Sequence, residues 1–164
     1  MVSTFARLTA GLVLLPAICA VAQAAEPVRV LDGFDDPSTW RVVTSNQVSG
    51  ALRSVAGVGG KGLCLDCDFN GVSGHAGIQR DLVLEYPANY QFAFQLRGDS
   101  PRNDLQFKLI DASGDNVWWV NRPKYDFPTA WTLVRYKMRH IDKAWGPDPD
   151  RVLRRSVRLE YTVY

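Results

Sequence analysis

The sequence predicts an all-β protein, an antiparallel β-sandwich, from three observations. Short runs of residues alternate between apolar and polar side chains, which is the period of a strand with one buried face. Turn residues separate these runs, as in "ASGDN" and "GPDPDR". No long stretch repeats its apolar residues at the 3.6-residue period of a helix. Seven or eight short strands joined by turns are typical of a sandwich.

The predicted strands follow one another along most of the chain. Segment 90–97 alternates most clearly, with Tyr90, Phe92, Phe94 and Leu96 on one face. Gly114 in "ASGDN" favours a hairpin turn, because glycine adopts positive φ without strain. The predicted strands are 62–69, 77–84, 90–97, 105–111, 117–121, 131–138 and 156–164.

The first 24 residues have the three-part pattern of a secretory signal peptide. Arg7 supplies a positive charge, an apolar run follows, and Ala22 and Ala24 precede the expected cleavage site. We therefore expect a signal peptide over 1–24, a single sandwich domain over 25–164, and a secreted or periplasmic location. The apolar run is too short for a permanent membrane span, and no later segment is long and apolar enough for one.

Charge and cysteine content exclude several classes of protein. Removing Arg7 with the signal lowers the net charge from +2 to +1, which argues against a nucleic-acid partner. Cys64 and Cys67 have the spacing of a redox or zinc motif. Residues three apart in a strand point to opposite faces, so we expect these thiols to diverge unless the strand is kinked there.

Several segments together resemble a known family. They are "LDGFDDPSTW", "GVGGKGLCLDCDF", "DNVWWVN" and the later "AWGP". In this order they resemble the galactose-binding-like jelly-roll modules found N-terminal in secreted glycoside hydrolases and in discoidin-type proteins. Family 11 carbohydrate-binding modules are looser relatives of the same shape. The complex I intermediate-associated proteins are more distantly similar.

The resemblance implies a jelly roll with a non-catalytic role. The function it implies is carbohydrate binding, as an accessory module that in a longer homologous protein would accompany a catalytic domain. The alternative is a protein-interaction or assembly module of the same fold. The resemblance also implies that the closing C-terminal strand is missing, because the sequence stops at "RLEYTVY".

The adjacent Trp118 and Trp119 are the leading candidates for ligand contact. Neighbouring residues in a strand point to opposite faces, so one ring belongs to the core and the other is free to stack on a sugar. Alternation alone does not decide which of the two tryptophans faces outward. Amides, guanidinium groups and further rings could complete such a site. The remaining candidates are Gln95, Arg97, Asn121, Arg122, Tyr125 and Trp145.

Other polar residues fit simpler roles. Gln106, Lys108 and Glu160 fit a solvated sheet face with cross-strand charge pairing. We also expect the strand over 105–111 to be the neighbour of the strand over 90–97. Sandwiches of the kind the sequence resembles often hold a structural calcium ion, for which Asp35 and Asp36 are the candidate ligands.

Nothing in the sequence favours an enzyme. A glycosidase needs two carboxylates facing each other across a cleft. Glu85 and Glu160 are the glutamates in predicted strands, and no motif places them together. No serine has the pattern of a nucleophile elbow.

Overall fold

The computed structural model describes residues 28–164, which form ten strands and two short 3-10 helices. The predicted signal peptide lies outside the described residues. The 3-10 helices are Pro37–Thr39 and Met138–His140. The strands are β1 (Arg41–Thr44), β2 (Ser49–Ala56), β3 (Lys61–Asp68), β4 (Ala76–Glu85), β5 (Gln91–Leu96), β6 (Asn103–Ile110), β7 (Val117–Tyr125), β8 (Thr132–Lys137), β9 (Asp142–Trp145) and β10 (Arg155–Val163).

The strands form one large sheet and two small ones, all antiparallel. The large sheet has six strands in the order β1-β4-β10-β6-β7-β9. The small sheets pair β2 with β3 and β5 with β8. The predicted all-β sandwich is therefore confirmed. Residues 31–164 cluster as one compact unit, and no helix in the described part of the chain is long and apolar enough to cross a membrane.

The core lies between the six-stranded sheet and the two small sheets. Phe107 and Leu109 on β6 are fully buried, in line with the alternation predicted for this segment. Tyr136 on β8 and Phe94 on β5 pack against Phe107, with ring centroids 5.6 and 6.2 Å away. Leu63 on β3 packs against the same cluster. Each strand of the large sheet thus has a core-facing side and an opposite side.

Two features of the strand order do not follow from the local sequence pattern. The C-terminal strand β10 is not an edge strand, because it lies in the middle of the large sheet between β4 and β6; a missing closing strand stays a prediction. Tyr164 continues this pairing through backbone hydrogen bonds with Asp104, at 3.1 and 3.3 Å. Segment 105–111 is also not the neighbour of 90–97: β6 pairs with β7 and β10, and β5 pairs with β8 in another sheet.

Turns at one end of the large sheet depend on two glycines. Gly114 has a φ of +82° in the hairpin between β6 and β7, as predicted, and its N–H donates to the Asp111 carbonyl at 3.2 Å. Gly146 has a φ of +123° after β9, where a Cβ would lie 2.6 Å from the Cα of Asn116. At Gly114 a Cβ would meet nothing within 4 Å. The two positions therefore share a left-handed backbone but differ in the space available.

Alanine at these two positions should separate backbone strain from collision. Gly114→Ala adds only strain and should lower the free energy of unfolding by about 1 kcal/mol. Gly146→Ala adds the collision with Asn116 and should lower it by roughly 2–4 kcal/mol. Urea unfolding of both variants measures the difference. Equal losses would contradict the packing described for the end of β9.

Candidate functional site

The candidate site is the outer face, which we define as the side of the six-stranded sheet that points away from the core. Strand pairing places its residues in three rows. The middle row crosses all six strands as Arg41, Gln79, Glu160, Lys108, Trp119 and Asp142. The row on one side contains Val43, Gly77, Thr162, Gln106 and Asn121. The row on the other side contains Asp81, Arg158, Ile110, Val117 and Trp145.

Four polar residues at the centre of the outer face are almost inaccessible to solvent. We name them the polar floor: Gln106, Lys108, Glu160 and Thr162, which are 7%, 5%, 8% and 1% exposed. Such residues are mostly exposed when a sheet face is flat and solvated. The expectation of a solvated face is therefore wrong at these positions. Cross-strand charge pairing is present, but the paired groups are buried.

A buried ion pair organises the polar floor. Lys108 Nζ donates to Glu160 Oε1 at 2.8 Å and to Thr162 Oγ1 at 3.1 Å. Glu160 also accepts from Thr162 Oγ1 at 2.7 Å and from Gln79 Nε2 at 2.7 Å. Burial by itself raises the pKa of the Glu160 carboxyl. The hydrogen bonds from Lys108, Thr162 and Gln79 outweigh it and hold the pKa below the usual value.

An aromatic corner borders the polar floor at the β7–β9 edge. We give this name to Trp119 and Trp145, whose rings meet edge to face with centroids 5.5 Å apart. Trp145 is 48% exposed, and Trp119 is half-buried. Exposed indole rings can stack on the apolar face of a sugar ring. Trp145 reaches this position because β9 pairs with β7.

Trp118 points the other way and is not available to a ligand. It is 4% exposed in the core, and its Nε1 donates to the Arg151 carbonyl at 2.8 Å. Strand geometry allowed only one of the two adjacent rings to face outward, and the structure assigns that position to Trp119. The candidate role of Trp118 in ligand contact is therefore corrected to a role in the core.

A further ring flanks the polar floor on the β10 side. Tyr164 is 42% exposed, its hydroxyl lies 3.5 Å from Lys108 Nζ, and its ring centroid lies 5.4 Å from that of His75. Tyr164 is not among the site residues predicted from the sequence. Its position follows from the pairing of β10 in the middle of the sheet, which no local pattern indicates.

The other predicted ligand residues are divided among different surfaces. Asn121 is exposed on the outer face beside Gln106. Arg122 alternates to the opposite side of β7, and Tyr125 packs edge to face on Phe127 with centroids 5.1 Å apart.

Gln95 and Arg97 do not lie on the six-stranded sheet. Gln95 is on β5, opposite Leu133, and the Arg97 guanidinium lies 5.1 Å from the ring centroid of Trp131. Of the eight predicted ligand residues, the structure brings three together on the outer face: Trp119, Asn121 and Trp145.

An ion cluster borders the polar floor on the side away from the aromatic corner. The Arg41 guanidinium donates to both carboxylate oxygens of Asp81 at 3.0 Å, and Arg158 Nε donates to the same group at 2.9 Å. These hydrogen bonds lower the pKa of Asp81 to about 2. In the three rows, Arg41, Lys108 and Arg158 carry three positive charges, and Asp81, Asp142 and Glu160 carry three negative ones. These three rows therefore have no net charge.

The acidic residues near the N-terminal end do not form a calcium site by themselves. Asp36 accepts hydrogen bonds from Ser38 N and Oγ at 2.9 and 2.7 Å and so caps a 3-10 helix. Asp32 accepts from Trp40 Nε1 at 3.0 Å and forms an ion pair with Arg80. Asp35 is exposed, and residues 28–164 contain no group of three side chains suited to a metal ion. Calcium at Asp35 and Asp36 stays a prediction without a side-chain ligand set.

The two strand glutamates are not arranged for glycoside hydrolysis. Glu85 lies opposite Arg155, with which it forms an ion pair at 2.7 Å. Glu160 lies five residues farther along β10, which corresponds to about 17 Å of strand. Paired catalytic carboxylates lie about 5–9.5 Å apart. This pair therefore has the wrong spacing for either glycosidase mechanism.

Comparisons with known proteins identify the fold. No protein-family model matches the chain, and no curated protein matches its sequence. Among solved structures, the chain is similar to the family 11 carbohydrate-binding module of the cellulosomal cellulase Lic26A-Cel5E of Clostridium thermocellum. The TM-score is 0.69 at 13% identity, covering 86% of this chain and 87% of that one.

A second similar structure is a family 11 carbohydrate-binding module from Clostridium thermocellum in complex with a β-1,3-1,4-mixed-linked tetrasaccharide. The TM-score is 0.67 at 14% identity, covering 82% of this chain and 84% of that one. The predicted resemblance to carbohydrate-binding modules of the jelly-roll type is confirmed at the level of the fold.

The buried ion pair should respond asymmetrically to substitution. Glu160→Gln leaves the Lys108 ammonium buried without a counter-charge, so the free energy of unfolding should fall by roughly 3–5 kcal/mol. The double variant Lys108→Met, Glu160→Leu removes both charges. Its free energy of unfolding should therefore fall by less than that of the single variant. Urea unfolding at neutral pH measures both. A single-variant loss below about 1 kcal/mol would contradict the burial described for the floor.

The ion cluster should contribute to stability only while Asp81 is ionised. Because the folded pKa lies below the ordinary value of 3.8, this contribution is fully present above about pH 5 and disappears as the pH falls towards 2. Asp81→Asn should therefore lower the melting temperature near neutral pH but hardly change it near pH 2. Asn121→Ala, on the same face, is the control, because an amide side chain does not titrate and its effect should be the same at both pH values. A constant effect of Asp81→Asn at every pH would exclude the ion cluster as its cause.

Proposed function

We propose that this protein is a non-catalytic carbohydrate-binding module whose outer face binds a neutral glycan chain. The observation that carries the proposal is the aromatic corner beside the polar floor on one sheet face. Sugar sites combine exposed rings, which contact the C–H faces of pyranoses, with fixed polar groups that contact hydroxyls. Trp119 and Trp145 supply the first, and Asn121 supplies an exposed amide two residues from Trp119 on the same side of β7.

Electrostatics favour an uncharged ligand. The Lys108 ammonium is satisfied by Glu160 and Thr162, so it offers no free charge to a carboxylate or sulfate. Arg41 and Arg158 share Asp81 at the far side of the face. Binding would therefore rest on stacking and hydrogen bonds, with no covalent step. A site of this size suggests dissociation constants on the order of millimolar to micromolar.

A mixed-linked β-glucan is the first ligand to test. The support is the similar fold whose structure contains a β-1,3-1,4-mixed-linked tetrasaccharide. That ligand is neutral, which agrees with the charge balance of the outer face. The proposal extends to location and context: a secreted or periplasmic module that serves a glycan-active enzyme. The predicted signal peptide over 1–24 supports this extension.

A protein-binding module of the same fold is the alternative. Such a function calls for a large contiguous apolar patch. The exposed large apolar side chains in the described residues come from different elements, such as Val83 on β4, Leu133 on β8 and Val152 in a loop. No observation favours this alternative over a glycan, so a protein partner is treated as an outcome of the test.

Substitution of the aromatic corner should reduce glycan binding. Trp145→Ala removes the most exposed ring and should weaken binding of mixed-linked β-glucan about five- to thirty-fold, or by about 1–2 kcal/mol. Trp119→Ala should have a similar effect. Affinity electrophoresis or calorimetry with the purified mature protein measures the change, and melting curves confirm that each variant is folded.

The matched controls are Gln95→Ala and Arg97→Ala, since these residues lie away from the six-stranded sheet. Both should bind like the wild type. If the wild type binds no glycan in a broad polysaccharide screen, the proposed function is wrong. If the controls lose binding and the tryptophan variants do not, the site is on the other side of the sandwich.

A further inference from the structure

Gln106 carries a buried hydrogen-bond acceptor without a partner. In the part of the chain that the structure describes, two buried side-chain atoms lack a hydrogen bond: Gln106 Oε1 and the Tyr136 hydroxyl oxygen. Buried polar atoms are nearly always paired, because an unpaired one loses its bonds to water without replacement. Each exception calls for an explanation, such as a bound group that completes it.

The two unpaired atoms lie on opposite sides of the same sheet. Tyr136 is between the sheets, where its ring packs against Phe94 and Phe107. Gln106 is on the outer face, between Thr162 on β10 and Asn121 on β7. It is therefore the one of the two that belongs to the candidate site. The rest of the polar floor is internally paired, since Lys108, Glu160 and Thr162 bond to one another.

We propose that the Gln106 side-chain oxygen accepts a hydrogen bond from a ligand hydroxyl and so selects neutral sugars that present a hydroxyl to the floor. This inference rests on the proposed function and names the residue that would set its specificity. Stacking on the aromatic corner tolerates many sugars, because every pyranose has an apolar face. A polar group that is left unpaired without the right hydroxyl discriminates far more strongly.

The chemistry of the floor fits this role. An amide oxygen needs a donor, which a sugar hydroxyl supplies and a carboxylate does not. The terminal torsion of a glutamine side chain is broad, so the amide can turn towards an arriving hydroxyl. Thr162 gives its one hydroxyl proton to Glu160, and Lys108 Nζ donates to Glu160, Thr162 and Tyr164 but not to Gln106. Gln106 is thus the free hydrogen-bonding group of the floor.

The test compares two substitutions that each remove one unpaired atom. Gln106→Met keeps the length and approximate volume of the side chain, and Tyr136→Phe keeps the ring. Both remove a buried unpaired polar group, so both should raise the melting temperature of the ligand-free protein by about 2–5 °C. Gln106→Met should also weaken binding of mixed-linked β-glucan about three- to tenfold, whereas Tyr136→Phe should leave the affinity unchanged.

Higher stability with weaker binding is the result expected for Gln106→Met alone. If its affinity equals that of the wild type, Gln106 does not contact the ligand and the inference fails, while the proposed function stands. If Gln106→Met lowers the melting temperature, the amide makes a stabilising bond within the free protein and the inference also fails. If the wild type itself does not bind glycan, the proposed function fails first.

Discussion

The ion pair between Lys108 and Glu160 is the interaction on which the outer face depends. It joins the two central strands β6 and β10, and the large sheet extends outward from them on both sides. A buried pair of this kind adds little stability compared with apolar residues of the same size, yet breaking it is costly. Its effect here is to fill the centre of the face with polar groups that are already satisfied. The proposed ligand contacts are therefore outside this paired centre, at the aromatic corner, Asn121 and Gln106.

Strand alternation separates the two sides of the large sheet: one side forms the core and the other forms the outer face. Inward residues such as Phe107 and Trp118 form the core, while their neighbours Lys108 and Trp119 face outward. Because β9 pairs with β7, Trp145 joins Trp119 on the outer face. The outer face therefore combines rings, amides and balanced charges without weakening the core. The proposed binding of a neutral glycan chain relies on this combination.

Much of the fold was predictable because alternation is a local signal. It identified the core face of β6 and the division between Trp118 and Trp119, and Gly114 marked a turn. Strands β1, β2 and β9 were missed, since four-residue strands and the sequence "SGALRSVA" show little alternation. The site was less predictable because alternation assigns a face but not a sheet. Gln95 and Lys108 therefore looked like neighbours, and burial of the floor depends on Glu160, 52 residues away.

Binding of a glycan to the outer face through the aromatic corner can be tested on the tryptophan side chains themselves. The five tryptophans provide a direct measurement, because each indole N–H gives its own signal in a ¹⁵N-correlated NMR spectrum. On titration with the mixed-linked tetrasaccharide, the signals of Trp119 and Trp145 should move, while those of Trp40 and Trp118 in the core should stay in place. The signal of Trp131, beneath Arg97, should also stay in place. Shifts at Trp131 without shifts at Trp119 and Trp145 would contradict the account.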